Sequence, residues 1–365
     1  MAHRLGAQEG ARARRARGQP RALRHAARAL SGDRPRGHAR DRGPRAPARR
    51  HGGLSEAGGA AAPRARPTRR DRAAAWAARA LLGAIHRLGR ERAFAAAGRV
   101  GRAWARLGGP RTAAAREHLR IAFPEWRERE RRAVLERSLA NLARSFVELA
   151  TMGSLAPEAL RALADVEGLE HFEAVRRERP GTGVIAVTAH LGSWELMAAI
   201  MAAHGIPLAL VHRARDNPLF DELAAELRGA SGAELLPRGS AARAALRALR
   251  AGKVVAMPLD QNAPRREGVF VPFFGRPACT RDAPARLAMR TGVPVLPVFI
   301  ERIGESMRHT VRVLPPLPLV SEADDKEAAV AANVAQMTAA IEDAIRRAPD
   351  QWIWTHRRWR TRPKP

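Results

Sequence analysis

The sequence predicts an α/β fold: a mixed, largely parallel central sheet flanked by helices, preceded by N-terminal helices and a basic head. Three observations predict it. From residue 180 onward, short apolar runs alternate with helix-patterned segments, the texture of strands joined by helical crossovers. Ahead of that region the apolar residues recur at helical spacing. The first 70 residues, by contrast, hold 19 arginines against four acidic residues and almost no large apolar side chains. Such a stretch cannot bury enough surface to offset its chain entropy and is predicted to be disordered.

Taken in order, residues 1–70 are an Arg-rich extension and residues 71–365 one folded domain. The head's charge suits a tether to nucleic acid or membrane. A dispensable extension, translated from a start codon placed too early, explains it as well and is the preferred reading. Ordered sequence is expected from Asp71. On a helical wheel, residues 72–90 place Ala78, Leu81, Leu82, Ile85 and Leu88 on one side and Arg72, Arg79, His86, Arg87 and Arg90 on the other. The 71–108 segment therefore reads as basic amphipathic helices, able to lie in a bilayer interface or to cover the domain core. In "REHLRIAFPEWRERERRAVLERSLANLARSFVELA", two helices are expected with a break at "FPEW", because Pro124 disfavours helix at Phe123.

The strand candidates are "GVIAVTA", "PLALVHRA", "AELLP", "KVVAMPLD", "VPVLPVFIE" and "HTVRVLP", with helices near 194–204, 217–230, 240–250, 281–291 and 324–347. No stretch offers the ~20 consecutive apolar residues of a standard transmembrane helix. The basic N-terminus lacks the apolar block of a secretory signal.

The net charge of +29 favours polyanionic partners: nucleic acid, anionic lipid or an acidic protein. With Cys279 as the only cysteine, neither an intrachain disulfide nor a thiolate metal cluster can form. No histidine has the H-E-x-x-H or clustered spacing of a metal site, so no metal is predicted. "GTGVIA" imitates a dinucleotide fingerprint but precedes its strand, so it cannot cradle phosphate in the usual way.

The informative stretch is "VTAHLGSWELMAA". The strand is expected to end near Ala189, with Ser193 as N-cap of the next helix. His190 then lies at the sheet's carboxyl edge, where open α/β sheets bind ligands, and Glu195 in the first helical turn can point back to it. An imidazole takes a proton near neutral pH, and a carboxylate on its other nitrogen fixes the tautomer and steadies the imidazolium. No G-x-S-x-G elbow accompanies the pair, which suggests that the substrate supplies the hydroxyl. A purely structural His–Glu contact fits these two residues equally well. Arg213 lies near a strand end, Arg228 at the close of a helix and Asp260 at the tip of an apolar strand. Val269, Phe270, Val271, Phe273 and Phe274 could line an apolar slot or pack in the core. Trp352, Trp354 and Trp359, interleaved with arginines, suit a membrane interface or an anionic head group, although at least one is expected to pack back on the domain.

In this order the motifs resemble the lipid A biosynthesis (late) acyltransferases, within the lysophospholipid and glycerol-phosphate acyltransferase superfamily. "AHLGSWE" is similar to the family's His-x4-acid block. "HRARDNP" with Arg228 resembles the second block, "PLDQNAPRREGVFVPFFGRPACT" the third and "GVPVLPVFI" the fourth. "RAPDQWIWTHRRWRTRP" is similar to its ending. The resemblance covers about residues 75–363. It implies a glycerol-phosphate acyltransferase-like fold and transfer of a fatty acyl chain from acyl-acyl carrier protein, or a coenzyme A thioester, to a lipid A precursor hydroxyl. His190 would be the general base and Glu195 its orienter. Arg213, Arg228, Asp260, Gln261, Phe274 and Gly275 would bind substrate. No cofactor is implied, the acyl thioester being a co-substrate. The partners implied are acyl carrier protein, an anionic glycolipid and the inner-membrane surface, on its cytoplasmic face. Relatives usually begin with one membrane-spanning helix, in whose place stands the basic amphipathic segment.

Three alternatives are set against this. The acceptor could be another glycolipid or a lysophospholipid. The Arg-rich head could bind nucleic acid, though no DNA- or RNA-binding signature accompanies it. His190 could activate water, giving a hydrolase, which free fatty acid as the product would reveal.

Overall fold

The apolar run Val184–Thr188 forms a strand, β2, in which every residue is buried. A continuous apolar strand of this kind is stable only where helices cover both faces of a sheet. In the computed structural model, which describes residues 67–212, 217–237, 241–321 and 324–364, β2 is the central strand of seven. The expectations for Arg213 and for residues 1–66 of the Arg-rich head lie outside the described residues, whereas Arg69 and Arg70, expected in the head, open the first helix with Thr68 as its N-cap.

The N-terminal helices are α1 (Arg69–Leu88), α2 (Arg90–Leu107), α3 (Pro110–Ala122) and α4 (Glu128–Met152). The break at Pro124 falls between α3 and α4, as its sterics require. After them come α5 (Pro157–Arg161), β1 (Ala164–Glu167), α6 (Leu169–Glu178), β2, α7 (Trp194–Ala203), β3 (Leu208–His212), α8 (Pro218–Gly229), β4 (Glu234–Pro237), α9 (Ala241–Arg250) and β5 (Val254–Pro258). The chain continues through β6 (Gly268–Phe273), β7 (Arg276–Arg281), α10 (Ala283–Thr291), β8 (Val295–Arg302), β9 (His309–Val313) and α11 (Lys326–Arg347). The sheet order is β1-β9-β8-β2-β5-β3-β4. Only β8 and β9 pair antiparallel within it, the other neighbours being parallel.

Alternate side chains of β2 feed two cores. Ile185, Val187 and Ala189 join one with α9, α10 and α11, whereas Val184 and Ala186 join the other with α7. Helix α7 is apolar around most of its circumference because it is covered on both sides, Leu196 to Met201 being buried. All six expected strands are present. The short β1, α5 and α6 and the β6–β7 hairpin are additional.

That hairpin carries two of the residues expected to bind substrate. Phe274 and Gly275 have φ of +50° and +70°, the left-handed pair of a two-residue hairpin turn. Phe274 is buried among Phe123, Phe273 and Trp354, and its backbone N–H donates to Glu342 of α11 at 2.5 Å. Both residues form the turn, and Phe274 also packs in the core. Val271 and Phe273 are likewise core residues.

Candidate active site

Parallel pairing builds the site. Thr188 of β2 lies opposite Pro258 of β5, and Leu259 N–H donates to Thr188 O at 3.1 Å. Two residues further along each strand come His190 and Asp260, so the register itself sets them side by side. His190 Nδ1 is 2.8 Å from Asp260 Oδ1, and the His190 backbone N–H donates to Oδ2 at 3.0 Å. The indole N–H of Trp352 donates to the same Oδ2 at 2.8 Å. With Nδ1 held, Nε2 is the nitrogen that remains for a substrate. The side-chain amide of the exposed Gln261 lies 3.3 Å from it.

The carboxylate on the His190 ring is therefore Asp260, where Glu195 was expected. Glu195 stands in the first turn of α7 and accepts from Arg228 instead, with Nε at 2.9 and 3.0 Å and Nη2 at 2.5 Å from its oxygens. A forked guanidinium–carboxylate contact satisfies both carboxylate oxygens at once. Glu195 reaches His190 only through its field, which adds to that of Asp260. Ser193 occupies the N-cap position of α7, but its side chain makes no capping bond. Gly192 is required by the turn: its φ is +57°, and a Cβ there would meet Ile300 O at 2.3 Å.

The charges follow from these contacts. Burial would push His190 down, yet the Asp260 carboxylate outweighs it and raises the imidazole above its ordinary value. Burial would raise Asp260, but the His190 charge and the hydrogen bonds from His190 and Trp352 hold it down at about 2. The carboxylate is ionised at any working pH.

A cavity of about 1030 Å³ opens beside His190. Trp194, Glu195, Arg228 and Gln261 stand with His190 along it, and Arg281, Arg286 and Arg290 also line it. Its apolar wall is made by Val184, Ala186, Leu208 and Val254 of the sheet and by Met197, Ala198 and Met201 of α7. Phe274 and Gly275 are not among the lining residues. No group of three or more His, Cys, Asp or Glu able to hold a metal occurs among the described residues.

The C-terminal segment closes the back of the site. Trp352 and Trp354 are fully buried and Trp359 packs partly buried against the same core, so these residues are not a lipid-facing belt. Asn262 N–H donates to His356 Nε2 at 3.0 Å, and Arg358 donates to Cys279 O at 2.8 Å.

The fold and the site together define an α/β protein with a His190–Asp260 pair at the carboxyl edge of its central strand, beside a large apolar cavity. Residues 64–361 match the bacterial lipid A biosynthesis acyltransferase family. The chain belongs to that family and is an acyltransferase. It is 30% identical over 260 residues to a lipid A biosynthesis acyltransferase of Haemophilus influenzae, covering 71% of this chain and 80% of that protein. It is 28% identical over 264 residues to the lipid A biosynthesis myristoyltransferase of Escherichia coli K12 (72% and 80%). To the lauroyltransferase of the same organism it is 29% identical over 248 residues (68% and 78%).

Proposed function

We propose that the protein transfers a fatty acyl chain from an acyl thioester, carried on acyl carrier protein, to a hydroxyl of a lipid A precursor. The observation that carries this reading is the His190–Asp260 pair at the mouth of an apolar cavity. His190 Nε2 takes the acceptor's hydroxyl proton while Asp260 accepts the hydrogen bond from Nδ1–H and stabilises the imidazolium. The oxygen attacks the thioester carbonyl, an ester bond forms, the C–S bond breaks, and the thiolate leaves with the proton held by His190. Glu195 keeps the Arg228 charge at the cavity, where a guanidinium suits a phosphate oxyanion of the acceptor. The wall from Thr188 to Val184 runs ~13 Å along β2 at about 3.3 Å per residue, a length that suits a fatty acyl chain. Arg290 on the cavity lining, beside Arg281 and Arg286 in ion pairs with Glu267 and with Asp282 and Glu327, favours an acidic carrier protein.

A lipid acceptor needs a protein that reaches the bilayer, and no described helix is long and apolar enough to cross one. Helix α1 supplies a surface contact. Its apolar residues differ in cover: Ala75 and Ile85 are buried, while Trp76, Leu81 and Leu88 are 74%, 50% and 46% exposed. Arg69, Arg70, Arg72, Arg79 and Arg87 are exposed on the same helix. A cationic helix with an exposed aromatic and two leucines fits an anionic membrane surface, here the cytoplasmic face of the inner membrane.

The test is transfer from a set of acyl-acyl carrier proteins to a phosphorylated lipid A precursor, wild type beside His190→Ala. Transfer that disappears in the variant is expected. Full activity in His190→Ala would overturn the mechanism. Free fatty acid as the sole product would indicate a hydrolase.

A further inference from the structure

We propose that Trp352 is a positioning residue for acyl transfer: its indole N–H holds the Asp260 carboxylate in the orientation that makes His190 a base. This rests on the assignment of His190 as base under the proposed function.

Asp260 has to divide two oxygens among three donors. Oδ1 takes the ring N–H of His190 at 2.8 Å, while Oδ2 takes the His190 backbone N–H at 3.0 Å and Trp352 Nε1–H at 2.8 Å. The two His190 contacts come from one loop and would swing with it. Trp352 comes from the C-terminal segment, which is tied both to that loop and to Ser138 of α4, and it holds the carboxylate from a separate element. Its own place is overdetermined. Trp352 pairs with Leu191 in an antiparallel bridge, its carbonyl accepts from Ser138 Oγ at 2.7 Å, and Gly192 N–H donates to the carbonyl of the preceding Gln351 at 3.0 Å. Its ring stands edge-on to Trp354 and Phe273 with centroids 4.7 and 5.7 Å away.

Packing alone would be met by phenylalanine. The indole adds one buried donor, and its hydrogen bond is to the carboxylate behind the base. A donor on Oδ2 withdraws charge from the carboxylate, so it tempers how strongly Asp260 stabilises the imidazolium. The other charged or titratable groups that act on the pair are Glu195 and Arg228 on the cavity side and His356 and Arg358 on the C-terminal side.

The experiment compares full-length wild type, Trp352→Phe and His190→Ala, with lauroyl-acyl carrier protein as donor and a phosphorylated lipid A precursor as acceptor. In Trp352→Phe, kcat is expected to fall about tenfold or more with both KM values within about twofold, because orientation and not binding is lost. The acid limb of its kcat/KM profile is expected to move to higher pH, since an Asp260 relieved of one donor favours the imidazolium. A merely structural Trp352 would lower the amount of folded enzyme and leave the limb where it was. Inactive His190→Ala together with an unmoved limb and full kcat in Trp352→Phe overturns this inference alone. Active His190→Ala overturns the base assignment and the inference with it. If Trp352→Phe fails to fold, the wild type decides by nitrogen-15 NMR: the Trp352 indole proton should titrate together with His190, and an indole proton indifferent to that titration overturns the proposal.

Discussion

Asp260 decides the sign of the pH dependence. Burial opposes the charged imidazole, but the neighbouring carboxylate wins and His190 titrates above the ordinary value of about 6.5. In the proposed mechanism His190 acts only when neutral, so kcat/KM should rise as pH rises through that elevated value. Asp260→Asn removes the charge and leaves an amide that cannot select the same tautomer. Its acid limb should move to lower pH and its kcat should fall by roughly 10²–10⁴-fold, measured with the acyl transfer assay across pH 5–9. A variant at wild-type rate would mean that Asp260 is a structural partner of His190. The sequence disclosed both residues but not their pairing, Asp260 being expected to bind substrate. His190 stood out because a titratable residue follows a fully apolar strand, and Glu195 was the nearest carboxylate in the chain. Asp260 also ends an apolar strand, and "VIAVTAH" and "VVAMPLD" carry His190 and Asp260 at matching places. Knowing that these strands are neighbours in parallel register would have paired them, but neighbour order is a tertiary fact with no local signature.

At the scale of elements, period and punctuation were enough to place the six expected strands and the helices between them, because strand and helix impose different apolar spacing. The β6–β7 hairpin escaped because its turn is Phe274–Gly275 where Asn-Gly or Asp-Gly would have signalled it. The exposure of Trp76, Leu81 and Leu88 escaped because a helical wheel shows which residues share a side of α1 but not which of them its neighbours cover. These three side chains carry a prediction. Replacing Trp76, Leu81 and Leu88 together by serine should weaken pelleting with phosphatidylglycerol vesicles about tenfold or more. The thermal midpoint should hold, since all three side chains face solvent. Unchanged pelleting would assign membrane binding to other basic surfaces. Helix α7 carries another. Ala198 is a small residue on the cavity wall, and Ala198→Phe would fill part of the space between α7 and the sheet. Specificity should shift toward shorter acyl chains, with kcat/KM for the longest accepted thioester falling about tenfold or more relative to the shortest. Equal loss across all chain lengths would mean that the acyl chain lies elsewhere.

Across the whole molecule, a buried ionic cluster ties the N-terminal helices to the sheet and, through the C-terminal segment, to the site. Arg302 of β8 donates to both oxygens of Glu148 of α4 at 2.6 and 2.7 Å. Its backbone N–H and carbonyl clasp the Gln351 side chain at 2.7 and 2.9 Å, next to Trp352. His309 of β9 is fully buried 3.4 Å from Glu148. Because Arg302 already satisfies that carboxylate, burial prevails and pushes His309 down to about 4. The linkage follows from this. Between about pH 6.5 and 4 the unfolded chain binds a proton that folded His309 refuses, so its contribution is complete above pH 6.5 and is lost as pH falls. His118, His204 and His356 are displaced in the same direction by burial. His190 has the opposite sign, its stabilisation fading as pH rises through its raised value. Four groups against one predict a protein that loses stability in mild acid, with His309 accounting for about 2 kcal/mol between pH 7 and 5. Thermal midpoints measured over that interval should fall for the wild type. His309→Gln, which cannot titrate, should start from a lower midpoint at pH 7 and fall less steeply. Parallel slopes for the two proteins would mean that His309 is protonated in the folded state and that Glu148 is shared between it and Arg302.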